Sequence, residues 1–319
     1  MYKKILLMIL CFLAAMSCSS PSNPDNTNNG DIVNGGGSGN GGGSGSGGDS
    51  GNTGDGGDIP WTEIAPPLPV LDEEAKTYGI YISQEDSVIK EQIKTKLKEY
   101  KNTHGIYKVI FIGTPKEDYY VSASLAKLTL EAAKEIWIQN AIIDVSNVYF
   151  NERKIKTRMF RGVNIGYFEL SFILPENIIR VIEGNAFSFL NNYLKEIRIP
   201  DSVIGINAAA FQLSEVLEKI TFTENSQLEY IGELAFSYSK IKEIVIPASV
   251  KSIGSSPFGK SLTTVTYLGT KPDAIKHNGD VFKGYTSIQT LIVPNAENIS
   301  DPAWKTFLGG NFTEVKQHK

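Results

Sequence analysis

Cysteine and histidine are scarce in this chain, which limits its chemistry. Cys11 and Cys18 are its two cysteines, and both lie near the N-terminus. His104, His277 and His318 are far apart, and no pair has the spacing of metal ligands. We therefore predict neither a disulfide framework nor a metal site, and we expect no cofactor.

Charge of one sign is not in excess, and signs of catalytic chemistry are few. The net charge is −4, and the basic residues are interspersed with acidic ones, so no nucleic-acid partner is expected. The carboxylates of Glu73-Glu74 and Glu85-Asp86 are adjacent, whereas glycosidase acids face each other across a cleft. The part expected to fold has no nucleophile-elbow motif. These features predict a protein that is not an enzyme.

No apolar run is long enough for a membrane-spanning helix. Residues 5–15 are apolar, but a transmembrane helix needs about 20 such residues. Lys3 and Lys4 precede the run, which is typical of a secretory signal peptide, here residues 1–17. The four residues that begin at the end of this apolar run resemble a bacterial lipobox: Ala15-Met16-Ser17-Cys18.

The lipobox resemblance implies that Cys18 becomes the first residue of the mature chain and carries a lipid. The protein would then be anchored to the bacterial outer membrane by that lipid alone, with its body exposed at the cell surface. Several acyl chains on one cysteine anchor a protein stably, because each buried methylene adds about 0.8 kcal/mol. The alternative is an ordinary signal peptide, cleaved near Ala15 or Ser17, with Cys18 unmodified.

A low-complexity segment, residues 18–59, follows the signal peptide. It consists mainly of Gly, Ser, Asn and Asp, and such a composition cannot bury enough apolar area to fold. It predicts a flexible linker with an end-to-end distance of about 35 Å.

Internal repeats are the main signal in the rest of the chain. Phenylalanines recur every 22 to 27 residues, within the range of leucine-rich repeats. A short strand-like run precedes most of them, and a proline often ends the run, as at Pro200 and Pro247. The series is Phe160, Phe187, Phe211, Phe236, Phe258, Phe282 and Phe307.

The spacing predicts a solenoid in which each repeat supplies one short strand. Side chains alternate between the two faces of a strand, so one apolar set points inward, as Ile197 and Ile199 do. Stacked repeats would form a parallel sheet over a shared core, with the phenylalanines on the opposite wall. The fold class is thus a β-rich α+β solenoid of short parallel strands.

The repeats resemble the BspA-like leucine-rich repeats of bacterial surface proteins. Ile241–Gly254 followed by Phe258 is the best unit, and Leu194–Val203 follows the same pattern. The resemblance covers about residues 142–310 and implies adhesion to host matrix proteins or to other cells. The irregular stretch Gly269–Val281 predicts a break in the ladder of apolar side chains that stack from one repeat to the next.

Residues 60–140 are predicted to be an N-terminal α/β cap for a repeat domain of residues 141–319, whose other end Trp304 and Phe307 are predicted to close. Asp86-Ser87 predicts the start of an N-capped amphipathic helix, and Lys108–Gly113 has the composition of a strand. Ser124–Gln139 predicts a second helix. A solenoid needs such a cap, because its first repeat otherwise exposes an apolar face. A separate ligand-binding domain is the alternative.

The outward side chains of the sheet are the predicted contact surface for a protein partner. They change from charged to hydroxyl-rich and aliphatic along the array. The alternative interpretation is that they are residues of high β-propensity on a solvated sheet and contact no partner. The predicted contact residues are Glu196, Arg198, Lys219, Thr221, Glu243, Val245, Thr264, Thr266, Thr290 and Ile292.

Two alternatives to protein recognition remain at this point. One is a lipoprotein that captures carbohydrate on exposed aromatic rings, for which the candidates are Trp61, Tyr119, Tyr238 and Tyr285. The other is a structural envelope protein that binds no ligand.

Overall fold

The computed structural model describes residues 65–277 and 281–318. The predictions for the signal peptide (1–17), for Cys18, for the linker (18–59) and for Trp61 lie outside the described residues. None of the described helices is both long and apolar enough to span a bilayer.

The described residues form sixteen strands, three α-helices and one 3₁₀ helix. The helices are α1 (Glu73–Tyr78), α2 (Asp86–His104), α3 (Leu125–Glu135) and the 3₁₀ helix Pro302–Gly309. The strands are β1 (Gly79–Tyr81), β2 (Lys108–Gly113), β3 (Asn140–Val148), β4 (Lys154–Ile155), β5 (Glu169–Ile173), β6 (Val181–Ile182), β7 (Glu196–Arg198), β8 (Gly205–Ile206), β9 (Lys219–Thr221), β10 (Tyr230–Ile231), β11 (Glu243–Ile246), β12 (Ser252–Ile253), β13 (Thr264–Tyr267), β14 (Lys276–His277), β15 (Thr290–Ile292) and β16 (Glu314–Lys316).

The predicted parallel sheet is present, in three hydrogen-bonded parts. Their orders are β1-β2-β3-β5, β7-β9 and β11-β13-β15-β16, and every pairing is parallel. Backbone bonds from Leu170 to Tyr193 and from Lys240 to Leu217 connect successive parts. We call this series the main sheet. Its inward row is buried as predicted: Leu170, Ile197, Ile220, Ile244, Val265 and Leu291.

A second parallel sheet, which the sequence analysis missed, forms another wall of the solenoid. Its order is β14-β12-β10-β8-β6-β4, and each strand has two residues. One isoleucine per coil points into the core from β4 to β12, and each is almost fully buried. These are Ile155, Ile182, Ile206, Ile231 and Ile253. Each coil therefore covers its neighbour on two walls.

The predicted phenylalanine ladder is a continuous stack of six rings. Successive ring centroids lie 4.8 to 5.9 Å apart, and all five contacts are stacked. The rings are fully or almost fully buried. We call this set the phenylalanine stack: Phe160, Phe187, Phe211, Phe236, Phe258 and Phe282.

Two expectations about the end of this ladder are wrong. The irregular stretch Gly269–Val281 does not break it, because Phe282 still stacks on Phe258 at 5.9 Å. Phe307 does not extend it, although its spacing fits. The 3₁₀ helix redirects the chain, and the Phe307 ring stacks on Tyr267 at 5.0 Å, beside Trp304.

The turns on either side of the phenylalanine stack use left-handed backbone at residues other than glycine. Two residues before the ring, φ lies between 45° and 61° at Arg158, Asn185, Ala209, Leu234 and Ser256. This conformation costs roughly 1–2 kcal/mol per residue. Backbone bonds between coils help to hold it. For example, the amide of Phe187 donates to the carbonyl of Ala210 at 2.7 Å.

The N-terminal segment extends the main sheet with two strands and covers the first coil with two helices. Helix α2 contributes Ile93 and Leu97 to the shared core, and α3 contributes Leu128. The predicted N-cap is wrong: the Asp86 carboxylate binds Lys116 (2.6 Å) and the Ala123 amide (2.7 Å) instead.

Helix α3 also ends earlier than predicted. Its last residue is Glu135 rather than Gln139. Trp137 takes a left-handed conformation with φ of 58°, so the chain turns there toward β3.

Helix α1 lies on the outer face of the first part of the main sheet. Ala75 packs against Ile110 and Ile112, whose side chains point away from the repeat core. The Glu74 carboxylate accepts hydrogen bonds from Lys108 and Tyr100. The outer face of β2 is therefore occupied by the chain itself.

Phe236→Ala is expected to lower the free energy of unfolding by about 3–5 kcal/mol, because it removes a buried ring from the stack. Tyr238→Ala is the matched control, since this ring two residues away is largely exposed. Chemical denaturation of both variants provides the measurement. An equal loss of stability in the two would refute a stabilising role for the stack.

Glu74→Gln is expected to lower the thermal midpoint at neutral pH. The hydrogen bond from Lys108 lowers the pKa of Glu74, so this carboxylate stabilises the fold above its ordinary pKa. That contribution is lost as the pH falls through the lowered pKa. The variant should thus lose less stability than the wild type on acidification below about pH 4.5.

Glu73→Gln is the control for this pH experiment, because the Glu73 carboxylate is exposed and pairs with Lys76 at the surface. Thermal melts of the three proteins across the acid range supply the comparison. Identical pH profiles for wild type and Glu74→Gln would contradict the assignment.

Candidate recognition surface

The outer face of the main sheet carries all ten predicted contact residues on strands β7 to β15. Glu196, Arg198, Lys219 and Glu243 are exposed. A second group is partly exposed: Thr221, Val245, Thr264, Thr290 and Ile292. Strand register brings these residues into two rows. This geometry places nine of the ten side chains where a partner can reach them.

Thr266 is the exception, because only 6 % of its surface is exposed. The strand alternation is as predicted, since Val265 and Tyr267 point into the core. Register places Thr266 between Val245 on β11 and Ile292 on β15. A short side chain between two larger branched ones loses its access to solvent, so Thr266 is not a free contact residue.

The charged half of the surface, on β7 and β9, pairs its charges internally. Lys219 lies 3.9 Å from Glu196 on the neighbouring strand. Arg198 contacts Glu176 and lies 3.6 Å from Asp201. Exposed pairs of this kind stabilise a protein by about 1 kcal/mol or less. A partner would have to displace these pairs or match them.

The other half, on β11, β13 and β15, is uncharged at its centre. Val245, Thr266 and Ile292 form one row, and Thr264 and Thr290 lie in the next. We call these five residues the hydroxyl–aliphatic strip. Such a centre can be removed from water without separating ion pairs.

Charged side chains lie at the ends of the strip. Glu243 precedes Thr264 in the register, and Glu314 and Lys316 on β16 follow Thr290 and Ile292. Hydrogen bonds from Lys316 and then Thr290 lower the pKa of Glu314, so its carboxylate is charged at neutral pH. The arrangement is an uncharged centre with a charged rim.

The aromatic candidates for carbohydrate stacking are placed differently from the prediction. Tyr119 and Tyr285 are buried, so they offer no platform, whereas Tyr238 is exposed. The hydroxyl group of each buried ring is hydrogen-bonded to the backbone. The Lys116 amide donates to the Tyr119 hydroxyl, and the Tyr285 hydroxyl donates to the Phe258 carbonyl. Burial raises the pKa of Tyr285 to about 12.

Sequence reasoning missed the two most exposed rings, Trp137 and Tyr167, each 92 % accessible. Trp137 lies just before β3 and Tyr167 just before β5. The two strands pair in parallel, with Asn140 of β3 opposite Glu169 of β5. The Glu169 amide also donates to the Gln139 carbonyl. Both rings therefore stand at the same edge of the main sheet. Their position in short stretches that enter a strand was the available signal.

His104 and His277 lie on different elements of the fold. His104 stacks on Tyr100 with ring centroids 4.1 Å apart, far along the chain from the exposed His277 on β14. Across residues 65–277 and 281–318, no group of three or more His, Cys, Asp or Glu could hold a metal ion.

Comparison with solved structures gives two weak likenesses. The pneumococcal vaccine antigen PcpA is 18 % identical with a TM-score of 0.35, over 58 % of this chain and 51 % of that one. A leucine-rich repeat protein from Bacteroides ovatus ATCC 8483 is 19 % identical with a TM-score of 0.23, over 56 % and 60 %. The chain thus spans between half and three fifths of their lengths.

Comparison with protein families gives a direct match, while no curated protein matches the chain. The family described as BspA type leucine rich repeat region matches residues 180–307 in six copies. These residues include the strands of the recognition surface and most of the phenylalanine stack. Residues 180–307 of this chain therefore carry leucine-rich repeats of the BspA type.

Proposed function

We propose that this protein is a surface-anchored adhesion module that binds a protein partner through the outer face of its main sheet. Repeat solenoids use such extended faces for binding. The observation that carries the proposal is the uncharged hydroxyl–aliphatic strip within an otherwise charged face. A host matrix protein or another cell-surface protein is the class of partner that the family resemblance implies.

The strip has the layout of a protein interface. Interfaces concentrate their binding energy in a central region that loses contact with water, surrounded by a polar rim. Val245 and Ile292 supply apolar surface at the centre, and the threonines supply hydroxyl groups for hydrogen bonds. Glu243 and Lys316 supply the rim. The self-paired charges on β7 and β9 would act mainly as a boundary that disfavours mismatched partners.

Anchoring at the cell surface is the second part of the proposal. A signal peptide (1–17), a lipid on Cys18 and a flexible linker (18–59) would hold the folded residues away from the outer membrane. Residues 60–140 would then cap the repeat domain of residues 141–319. A reach of about 35 Å for the linker allows the outer face to meet a partner on another surface.

Thr264→Lys combined with Ile292→Glu is expected to weaken partner binding strongly while the fold is kept. Each new charge has an opposite neighbour, because Thr264 is in register with Glu243 and Ile292 with Lys316. Purified protein is tested by surface plasmon resonance against a panel of immobilised extracellular matrix proteins. Binding should fall at least tenfold, with an unchanged thermal midpoint.

The control for this experiment is Glu196→Gln combined with Lys219→Gln, which removes an exposed ion pair from the other half of the same face. Its binding should stay within a fewfold of the wild type. Thr266 is left unchanged in both variants, because a charge at this buried position would destabilise the fold. Undiminished binding by the Thr264→Lys, Ile292→Glu protein rejects the strip as the contact site.

Cys18→Ser is expected to release the protein from the membrane. Cells grown with an alkyne-labelled fatty acid should label the wild-type protein and not the variant. Protease treatment of intact cells should digest the wild-type body if it faces outward. If the protein is labelled but resists this digestion, the result would support the lipid anchor and contradict the adhesion role.

Carbohydrate capture is the second candidate, and Trp137 with Tyr167 favours it. Two highly exposed aromatic rings at one edge of a sheet are unusual for a solvated surface, and sugars bind by stacking on such rings. A glycan array distinguishes the two functions. Glycan binding that is lost in Trp137→Ala and kept in Thr264→Lys, Ile292→Glu would support this candidate over protein recognition.

A further inference from the structure

Two arginines stand at the first coil of the wall that carries the phenylalanine stack. Arg158 lies two residues before Phe160, and Arg161 lies one residue after it. The four following coils have uncharged residues at both positions. The equivalents of Arg158 are Asn185, Ala209, Leu234 and Ser256, and those of Arg161 are Ser188, Gln212, Ser237 and Gly259. The repeat fold therefore does not require arginine at either position.

Each guanidinium group lies over an aromatic ring. The Cζ atom of Arg158 is 3.7 Å from the centre of the Tyr120 ring, and that of Arg161 is 4.2 Å from the centre of the Phe189 ring. Stacking holds the guanidinium planes and leaves their N–H edges available for hydrogen bonds. Tyr120 is exposed, so this cluster opens to solvent.

No ion pair within residues 65–277 and 281–318 neutralises the positive charge of this pair. Among the described residues neither arginine forms an ion pair, and the Nε atom of Arg158 is buried without a hydrogen-bond partner. Burial, and then the charge of Arg158, lower the pKa of Arg161. Two like charges are thus held together at a cost in free energy.

Three acidic groups on the adjoining segments bind other partners. Asp86 binds Lys116 at 2.6 Å, and Glu117 lies 3.1 Å from Lys156. Glu183 accepts hydrogen bonds from the amide and hydroxyl of Thr157 and lies 3.8 Å from Lys154. These three carboxylates are therefore paired with lysines, and Asp118, which is close to Tyr120 in the chain, accepts a hydrogen bond from the Tyr120 amide at 2.6 Å.

The N-terminus of helix α3 adds to the positive potential. The Leu125 amide donates to the Met159 carbonyl, and the Ser124 hydroxyl donates to the Arg161 carbonyl, so the helix begins against the arginine turn. The first turn of α3 has no acidic residue. The positive end of the helix dipole therefore faces the same region.

We propose that Arg158 and Arg161 form a binding site for a sulfate or phosphate group. Guanidinium groups bind tetrahedral oxyanions with paired hydrogen bonds, and an anion would relieve the repulsion between the two charges. The same chemistry could come from a free anion or from a sulfated polysaccharide, which would give the protein a contact separate from the hydroxyl–aliphatic strip.

Arg158→Gln combined with Arg161→Gln is the test, with the full-length protein and two probes. Sodium sulfate is titrated at constant ionic strength, set with sodium chloride, and the thermal midpoint is recorded. Sulfate should raise the midpoint of the wild type by mass action. The double variant should bind sulfate about tenfold more weakly or worse, because charge-assisted hydrogen bonds are lost.

Arg198→Gln is the matched control, since it removes an exposed arginine that is already paired with Glu176. It also corrects for the general stabilising effect of sulfate on folded proteins. Arg161→Gln alone removes the like-charge repulsion, so it keeps a folded protein available if the double variant is unstable. Its sulfate response should also be weaker than that of the wild type.

Immobilised heparin is the second probe and identifies the source of the anion. Elution of the wild type at higher salt than the double variant indicates a sulfated polymer. A sulfate response without heparin retention indicates a free anion, and both results support the site. Equal sulfate shifts in the wild type, Arg161→Gln and Arg198→Gln proteins would overturn it.

Discussion

Burial of each coil by its neighbour is the interaction on which this structure depends. A single coil has a two-residue strand, a short main-sheet strand and one phenylalanine, which cannot enclose a core. Stacking the coils encloses three rows at once: the inward row of the main sheet, the isoleucines of the second sheet and the phenylalanine stack. Stability in such an array is a property of neighbouring pairs, so both ends need other cover. Helices α2 and α3 supply it at one end, and Trp304 with Phe307 supplies it at the other.

The period of the phenylalanines was enough to predict the solenoid. The main sheet could be predicted because side-chain alternation along five- or six-residue runs is a strong pattern. The second sheet was missed because a two-residue strand has no alternation to detect. Its signal was present in another form. Ile155, Ile182, Ile206, Ile231 and Ile253 each stand five residues before a phenylalanine of the stack. Phe307 shows the converse error, since its spacing fits the period while Pro302 begins a helix that takes it elsewhere.

The candidate sites were harder to predict than the fold, because exposure depends on neighbours that are distant in sequence. Strand alternation places Thr266 on the outer face, but Val245 and Ile292 flank it and remove it from solvent. Tyr119 and Trp137 are both aromatic residues near helix α3, yet one is buried and the other almost fully exposed. The pairing of Arg158 with Tyr120 joins two segments that no periodic pattern connects.

Recognition in this molecule must come from positions that the stacking leaves free to vary. The interior requires an aliphatic residue or a phenylalanine in every coil, so it cannot distinguish one coil from the next. On the outer face the equivalent positions read Glu196, Lys219, Glu243, Thr264 and Thr290 in order along the array. The change from alternating charges to hydroxyl groups gives the two halves different costs of desolvation. A partner that covers the whole face must separate ion pairs at one end, whereas one that seats on β11 to β15 need not. The position of a bound partner along the array is therefore set by side chains that contribute little to the fold.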